Sequence, residues 1–532
     1  MDNTIASWQR LQYGMFIHWG LYSEFAGERD GKPVKIGYSE QIQMWDKITE
    51  SDYLEVAKHF TAEKFDPKAI CQLAKDAGMN YIVVTSKHHD GFAMFDTNTT
   101  DYNIVNQTPY SKDPLKLLAE ECQRQDLKFG VYFSLVDWHQ GHEFDENNNN
   151  QIPSSMEPII EEQLRELMTN YGPIAEVWFD MSNPTSEQSI KFSKIVHEHQ
   201  PEAAVNSRIW NNMGDFRTLA DNQVPSNTLD CVWQTPASIY HETWGYRKWQ
   251  ERNDFSKKVR DLVIGLTSVR ARGGNYLLNI GPRGDGSVVA FEQDVLQTMG
   301  EWLKRHPQAI IGSSATQFGG QPWGEVTLNG NFLYLHITNK PKDGKLTLFG
   351  LATEVREIVE DSSFDVLEWS LENNQLVVKL PEQLNDDILP VIRVELTGEL
   401  RIIPTYAVDA DTDGVWMIQP ENIYSGRSFA DNGNYNTLIE TTVRQTAYIA
   451  NEHDDRVMMY IKGKVENQET NYRVVLGKES RIVNGNELIG LEIGPFQVET
   501  NKIIPLTITL AEPDYEGEEL NLTLETIKIK RD

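Results

Sequence analysis

Apolar positions in the first 300 residues alternate between two patterns. Short, nearly unbroken apolar runs at 13–19, 81–85, 129–135, 174–179 and 203–207 read as strands buried on both faces. Between them, apolar residues recur at helical spacing over 50–60, from 66 through Ile70, Leu73, Ala74 and Ala77, from 113 through Leu118 and Cys122, and over 156–170 and 186–200. Two of these helices open on Asp-Pro, at Asp66-Pro67 and Asp113-Pro114. There the aspartate can cap the helix and the proline fits its first turn. Five strand–helix units before residue 210 argue for a parallel sheet and favour a barrel over a two-layer sheet, although periodicity alone does not close the barrel. The pattern fades over 210–250. It returns as a helix over 255–268, a strand over 276–280 and a helix over 291–305.

After about residue 308 the pattern becomes short alternating strands separated by turn pairs: Asn329-Gly330, Asp343-Gly344 and Asn373-Asn374. Thr397-Gly398 marks a break. A second β-rich stretch follows, with Asp413-Gly414 and Glu516-Gly517 as turns and a last strand over 520–530. The expected architecture is α/β: a (β/α)8-like, TIM-type barrel over 1–308, an antiparallel β-sandwich over 309–400, and a further β-rich module over 401–532. No aromatic platform stands out in the last module, so it reads as a support rather than a carbohydrate-binding unit.

Composition narrows the function. A net charge of −30 over 532 residues, with no basic cluster, argues against nucleic acid and against an anionic membrane. Three distant cysteines, Cys71, Cys122 and Cys231, make neither a disulfide framework nor a metal knuckle. The first residues lack an apolar leader, and no stretch of about 18 apolar residues occurs. The expectation is a soluble chain, cytoplasmic or secreted with its signal removed, of unknown oligomeric state. The 13 Trp and 20 Tyr also suit sugars, whose apolar faces stack on rings.

Barrels carry their chemistry at the C-terminal ends of strands. The first strand ends in His18-Trp19 and the second in Lys87-His88-His89-Asp90. The third carries Tyr132 and ends near Asp137-Trp138-His139. The fourth ends in Trp178-Phe179-Asp180 and the fifth in Asn206-Ser207-Arg208. Asp180 closes an apolar strand, where a carboxylate needs a partner or a task. His18, His88 and His89 admit two readings, metal ligands or hydrogen-bonding groups for sugar hydroxyls. The second is the simpler, because adjacent histidines on a strand point to opposite faces. No metal and no cofactor is expected. The glycines around residues 273–282 flank a strand and do not form a phosphate loop.

Together these segments resemble the α-L-fucosidases of glycoside hydrolase family 29. The resemblance rests on Gly14-Met15-Phe16-Ile17-His18-Trp19-Gly20, Ser86-Lys87-His88-His89-Asp90-Gly91-Phe92, Val177-Trp178-Phe179-Asp180, Thr243-Trp244-Gly245-Tyr246 and the 273–282 stretch. It implies a retaining exo-fucosidase acting on fucosylated oligosaccharides or glycoconjugates, with Asp180 as nucleophile. The implied sugar contacts are His18, Glu40, His88, His89, Tyr132, Trp178, Arg208, Gln234 and Trp244, with Trp244 facing the C6 methyl group. One departure matters: many members carry Trp-Glu where this chain has Trp233-Gln234, and a glutamine cannot exchange the proton. The acid/base role then falls to another carboxylate, Glu242 first and Asp221 second. The glutamine also fits a chain altered to trap ligand, a slow enzyme, or a fucoside-binding protein without turnover. A metal-dependent barrel hydrolase is the other rival. The Asn-rich loop at 143–152 is expected to border the leaving group.

Overall fold

The computed structural model describes residues 3–225, 228–229, 231–318, 320–402, 407–431, 438–500, 502–511 and 520–532. Eight parallel strands form one sheet: β1 (Tyr13–Ile17), β2 (Tyr81–Lys87), β3 (Lys128–Ser134), β4 (Ile174–Asp180), β5 (Ala204–Val205), β6 (Arg217–Thr218), β7 (Trp233–Ser238) and β8 (Asn275–Ile280). Their order is β5-β4-β3-β2-β1-β8-β7-β6. A parallel bridge between Asn206 and Phe216 joins the end of β5 to the start of β6. That bridge closes the sheet into a barrel and leaves it no free edge.

Among the described residues, seven helices of eight or more residues pack around it: α1 (Glu50–Ala57), α2 (Pro67–Asp76), α3 (Pro114–Arg124), α4 (Glu157–Asn170), α5 (Ser186–His199), α6 (Phe255–Ala271) and α7 (Ala290–Arg305). The two Asp-Pro starts work as their chemistry predicts. Asp66 accepts from the Ala69 amide and Asp113 from the Lys116 amide, each with proline in the first turn. The faded region, 210–250, holds β6 and β7. β6 is only two residues long, and among the described residues no helix separates it from β7. Neither strand–helix alternation nor a long apolar run was there to be read.

The next strands form a five-stranded and a three-stranded antiparallel sheet. They share a core that includes Leu333, Leu335, Leu346, Leu348, Leu376 and Val378. Asn373 and Asn374, both with positive φ, turn the hairpin between Trp369–Glu372 and Gln375–Lys379. These strands dock on the end of α7. His306 Nδ1 lies 2.8 Å from Asp361 Oδ2, and the Trp302 indole donates to the Leu389 carbonyl at 2.9 Å. The last two sheets enclose a separate core around Trp416, Tyr472 and Phe496. Asp413-Gly414 precedes a strand there, and Leu522–Arg531 is the final one. Glu516-Gly517 lies outside the described residues. Among the described residues no helix is long and apolar enough to cross a membrane.

Candidate active site

The C-terminal ends of the barrel strands surround one cavity of about 360 Å³. His18, Glu40, His88, His89, Tyr132, Trp178, Asp180, Arg208, Asp221 and Trp244 line it, with Phe16, Tyr38, Gln41 and Met181.

Asp180, the last residue of β4, is buried at 6% exposure. Its Oδ2 accepts from the Tyr132 hydroxyl at 2.7 Å and its Oδ1 from Arg208 Nη1 at 2.8 Å. Burial alone would raise its pKa. Arg208, His89 and the Tyr132 hydrogen bond outweigh burial and hold the carboxyl below its ordinary value. The group is therefore an anion at neutral pH. The other fork of Arg208, Nη2, donates to Asp221 Oδ1 at 2.8 Å. One guanidinium thus holds two carboxylates, and its Cζ lies 4.6 Å from the centroid of the Trp178 ring.

The histidines are neutral. Burial lowers His18 and His89 to about 4, and His88 well below its ordinary value. Their neighbours fix the tautomers. The Ser134 hydroxyl donates to the Val136 carbonyl at 2.8 Å, so its oxygen receives the His89 Nδ1 proton at 2.6 Å. Asn279 donates its amide to the Trp244 carbonyl at 2.8 Å, so its Oδ1 receives the His18 Nδ1 proton at 2.7 Å. In both rings Nε2 is left as an acceptor, suited to a hydroxyl. The His88 ring stacks on Tyr132 at 5.3 Å with 7° between planes, and its Nδ1 has no partner. Among the described residues no three His, Cys, Asp or Glu side chains converge as metal ligands.

Glu40, on a short 3-10 turn, accepts from the Gly245 amide at 2.8 Å and the Trp244 amide at 3.2 Å. Burial raises its carboxyl to about 7 against those hydrogen bonds. Trp244 is packed close to Gly281: a Cβ there would stand 2.8 Å from the Trp244 carbonyl oxygen, so the glycine is a steric requirement.

Two predicted residues stand apart. Gln234 does not line the cavity. It is fully buried beneath it, accepting from Trp178 Nε1 at 2.9 Å and donating to Tyr81 Oη at 3.0 Å and to both Glu176 oxygens at 3.0 Å. The Trp8 indole donates to Glu176 at 2.7 Å. The reason is its place early in β7, at the barrel's interior rather than its rim. Glu242 also lies off the cavity. Its side chain is 67% exposed and 3.9 Å from Arg247. The sequence reading missed Phe16, Tyr38, Gln41 and Met181 as cavity walls. Phe16 lies inside the 14–20 segment and Met181 directly follows Asp180, signals that could have found them.

Comparison with known proteins follows the same lines. A family model described as alpha-L-fucosidase matches residues 2–308. The tissue alpha-L-fucosidase of Bos taurus is 27% identical over a 424-residue alignment that covers 75% of this chain and 89% of that protein. Alpha-L-fucosidase isoenzyme 1 from Paenibacillus thiaminolyticus superposes with a TM-score of 0.65 at 28% identity, covering 74% of this chain and 99% of the other. Alpha-L-fucosidase from Vibrio sp. strain EJY3 superposes with a TM-score of 0.71 at 25% identity, covering 100% and 98% of the two chains.

Proposed function

The chain belongs to the alpha-L-fucosidase family, and from that premise we propose that it is a retaining exo-α-L-fucosidase with Asp180 as nucleophile and Asp221 as acid/base. The carrying observation is the Arg208 fork, which donates to two carboxylates, Asp180 and Asp221, that both line the cavity at the strand ends. Asp221 takes the role first expected of Glu242 because it lines the cavity and Glu242 does not.

In the first step an Asp180 oxygen attacks the anomeric carbon. The bond to the leaving oxygen breaks, and protonated Asp221 gives that oxygen its proton. In the second step Asp221 takes a proton from water, the hydroxide attacks the same carbon, and the Asp180 ester bond breaks. Fucose leaves with its configuration retained. His18, His88, His89, Glu40 and Tyr132 hold the ring hydroxyls, and Trp244 with Phe16 faces the C6 methyl. Burying that methyl is worth about 1 kcal/mol, a bias toward fucose over a hydroxymethyl sugar.

The test is release of 4-nitrophenol from the aryl α-L-fucoside, with product configuration followed by NMR. Asp180→Ala should be inactive and the first product should be α-fucose. Asp221→Asn should lose far more on a poor leaving group than on the nitrophenolate, while Glu242→Gln should not. Initial release of β-fucose, or the leaving-group dependence moving to Glu242, would overturn these assignments.

A further inference from the structure

Glu176, Trp178 and Asp180 alternate along β4, so their side chains share the inner face of the barrel in three successive layers. Asp180 is in the top layer and Trp178 in the next, and both line the cavity. Glu176 is in the lowest, fully buried beneath the cavity. Barrel interiors are ordinarily filled by branched apolar side chains, so a carboxyl there needs a partner or a task.

Its partners form one chain of hydrogen bonds. At the lower end the indole N–H of Trp8, in the helix Asn3–Gln9, donates to Glu176 Oε2 at 2.7 Å. Trp8 is itself fixed: it stacks on Phe216 with ring centroids 3.9 Å apart, and its carbonyl accepts from the Asn275 amide at 3.0 Å. At the upper end the Trp178 indole donates to Gln234 Oε1 at 2.9 Å. Gln234 Nε2 then donates to both Glu176 oxygens at 3.0 Å. Both ends of the chain are indoles, which only donate. An amide accepts on one side and donates on the other, so it passes the direction of donation along. Reversing that direction takes a group that accepts on both sides, and in this chain that group is Glu176.

The indole that this chain orients supports the nucleophile. Tyr132 stacks on Trp178 with centroids 5.7 Å apart and 19° between planes, and Arg208 Cζ lies 4.6 Å from the Trp178 centroid. Tyr132 and Arg208 are the two groups that donate to Asp180. His89, with Nε2 3.9 Å away, and His18 also face that carboxylate. We propose that Glu176 is a positioning residue for the nucleophile: by reversing the hydrogen-bond chain it fixes the Gln234 amide, and through it the indole on which both donors to Asp180 rest. The proposal rests on the fucosidase reading and adds to it a residue two layers below the reacting atoms.

The experiment follows kcat/KM for 4-nitrophenyl α-L-fucoside against pH, whose acidic limb reports ionisation of the nucleophile in the free enzyme. Glu176→Gln keeps the side chain's size but sets an NH2 against Gln234 Nε2 or, if that amide turns over, sets the Gln234 NH2 against the Trp178 N–H. kcat/KM should fall about 10- to 100-fold, mainly through kcat, as the donors to Asp180 shift. The acidic limb should move up by roughly half a unit to one unit, because Asp180 loses part of the support that holds it ionised. Glu176→Gln combined with Gln234→Glu moves the reversing carboxyl to position 234 and should return both rate and limb to near the wild type. Glu176→Asp keeps both acceptors but withdraws them by one methylene. It should move the limb the same way by less, and it supplies the reading where Glu176→Gln does not fold. An acidic limb unmoved in the folded single variants, or one that the double exchange fails to bring back, overturns the positioning role while the aryl activity stands. A wild type inert on the aryl fucoside overturns the fucosidase reading and the positioning role with it.

Discussion

Replacing Gln234 by glutamate tests what the position beneath Trp178 is for. The amide now gives Trp178 an acceptor and Glu176 a donor, within a site that contains no exposed atom of Gln234. A second carboxylate would stand about 3 Å from Glu176. Two full charges at that distance repel by about 5.5 kcal/mol even at an effective dielectric of ~20. The pair must therefore share a proton, and one of its two apparent pKa values must rise steeply. Glu176 alone is already raised to about 7, chiefly by burial. A carboxyl raised in this way holds a proton in the native chain that the unfolded chain has released. Its stabilising effect is complete below the unfolded value, about 4.3, and drains as pH rises, by up to about 1.4 kcal/mol per unit, until the native value is passed. For the wild type that drain ends near pH 7. For Gln234→Glu it continues above pH 7. We expect a deficit of about 1–3 kcal/mol at pH 6, from the poorer hydrogen bonding. The deficit should grow by roughly 1.4 kcal/mol per pH unit between 7 and 8.5. The exchange Glu176→Gln with Gln234→Glu restores one amide and one carboxylate, with Trp178 again donating to position 234, and should recover most of the loss. Urea denaturation followed by Trp fluorescence at several pH values, with aryl-fucoside kcat/KM on the same samples, measures both. A Gln234→Glu variant that matches the wild type at pH 8, or that gains activity on poor leaving groups, refutes the reasoning. Either result would mean that position 234 reaches the reacting atoms.

Arg208→Lys keeps the charge but cannot reach Asp180 and Asp221 with a planar fork, so kcat/KM on the aryl fucoside should fall by 2–5 kcal/mol in transition-state stabilisation, roughly 30-fold or more, with the thermal midpoint moving less. Gly281→Ala should destabilise the chain by about 1–3 kcal/mol and raise KM, because its Cβ would displace the Trp244 backbone; an unshifted melting curve contradicts the steric argument. Burial alone would lower His306, but hydrogen bonds to Asp361 and Asp386 outweigh it and raise its pKa. Its contribution to the barrel–sandwich contact is thus fully present below the unfolded value, about 6.5, and is lost as pH rises through the native one. Melting curves of wild type and His306→Gln should differ most below pH 6.5 and converge as pH rises above it.

The local pattern of residues determines most of the barrel by itself. Short apolar strands, helical stripes and Asp-Pro starts are interactions between near neighbours, so 81–85 and 113–124 are legible without the fold. The rim residues are legible for a related reason: in a parallel barrel all strand ends face one way, so His18, His88, His89, Tyr132, Asp180 and Arg208 must share one face once the strands are known. Other features depend on contacts between distant segments. β6 and β7 exist because their neighbours supply hydrogen bonds, and Pro236 sits in β7 against its intrinsic preference. Whether position 234 reached the substrate could not be read from Trp233-Gln234. It depends on how far along β7 the residue falls, and on Glu176 and Tyr81 meeting it from two other strands. Glu242 and Asp221 are both acidic loop residues in the sequence. Only packing separates them, because Arg208, fixed by Asp180 at the end of β4, extends its second fork to Asp221 and leaves Glu242 in solvent.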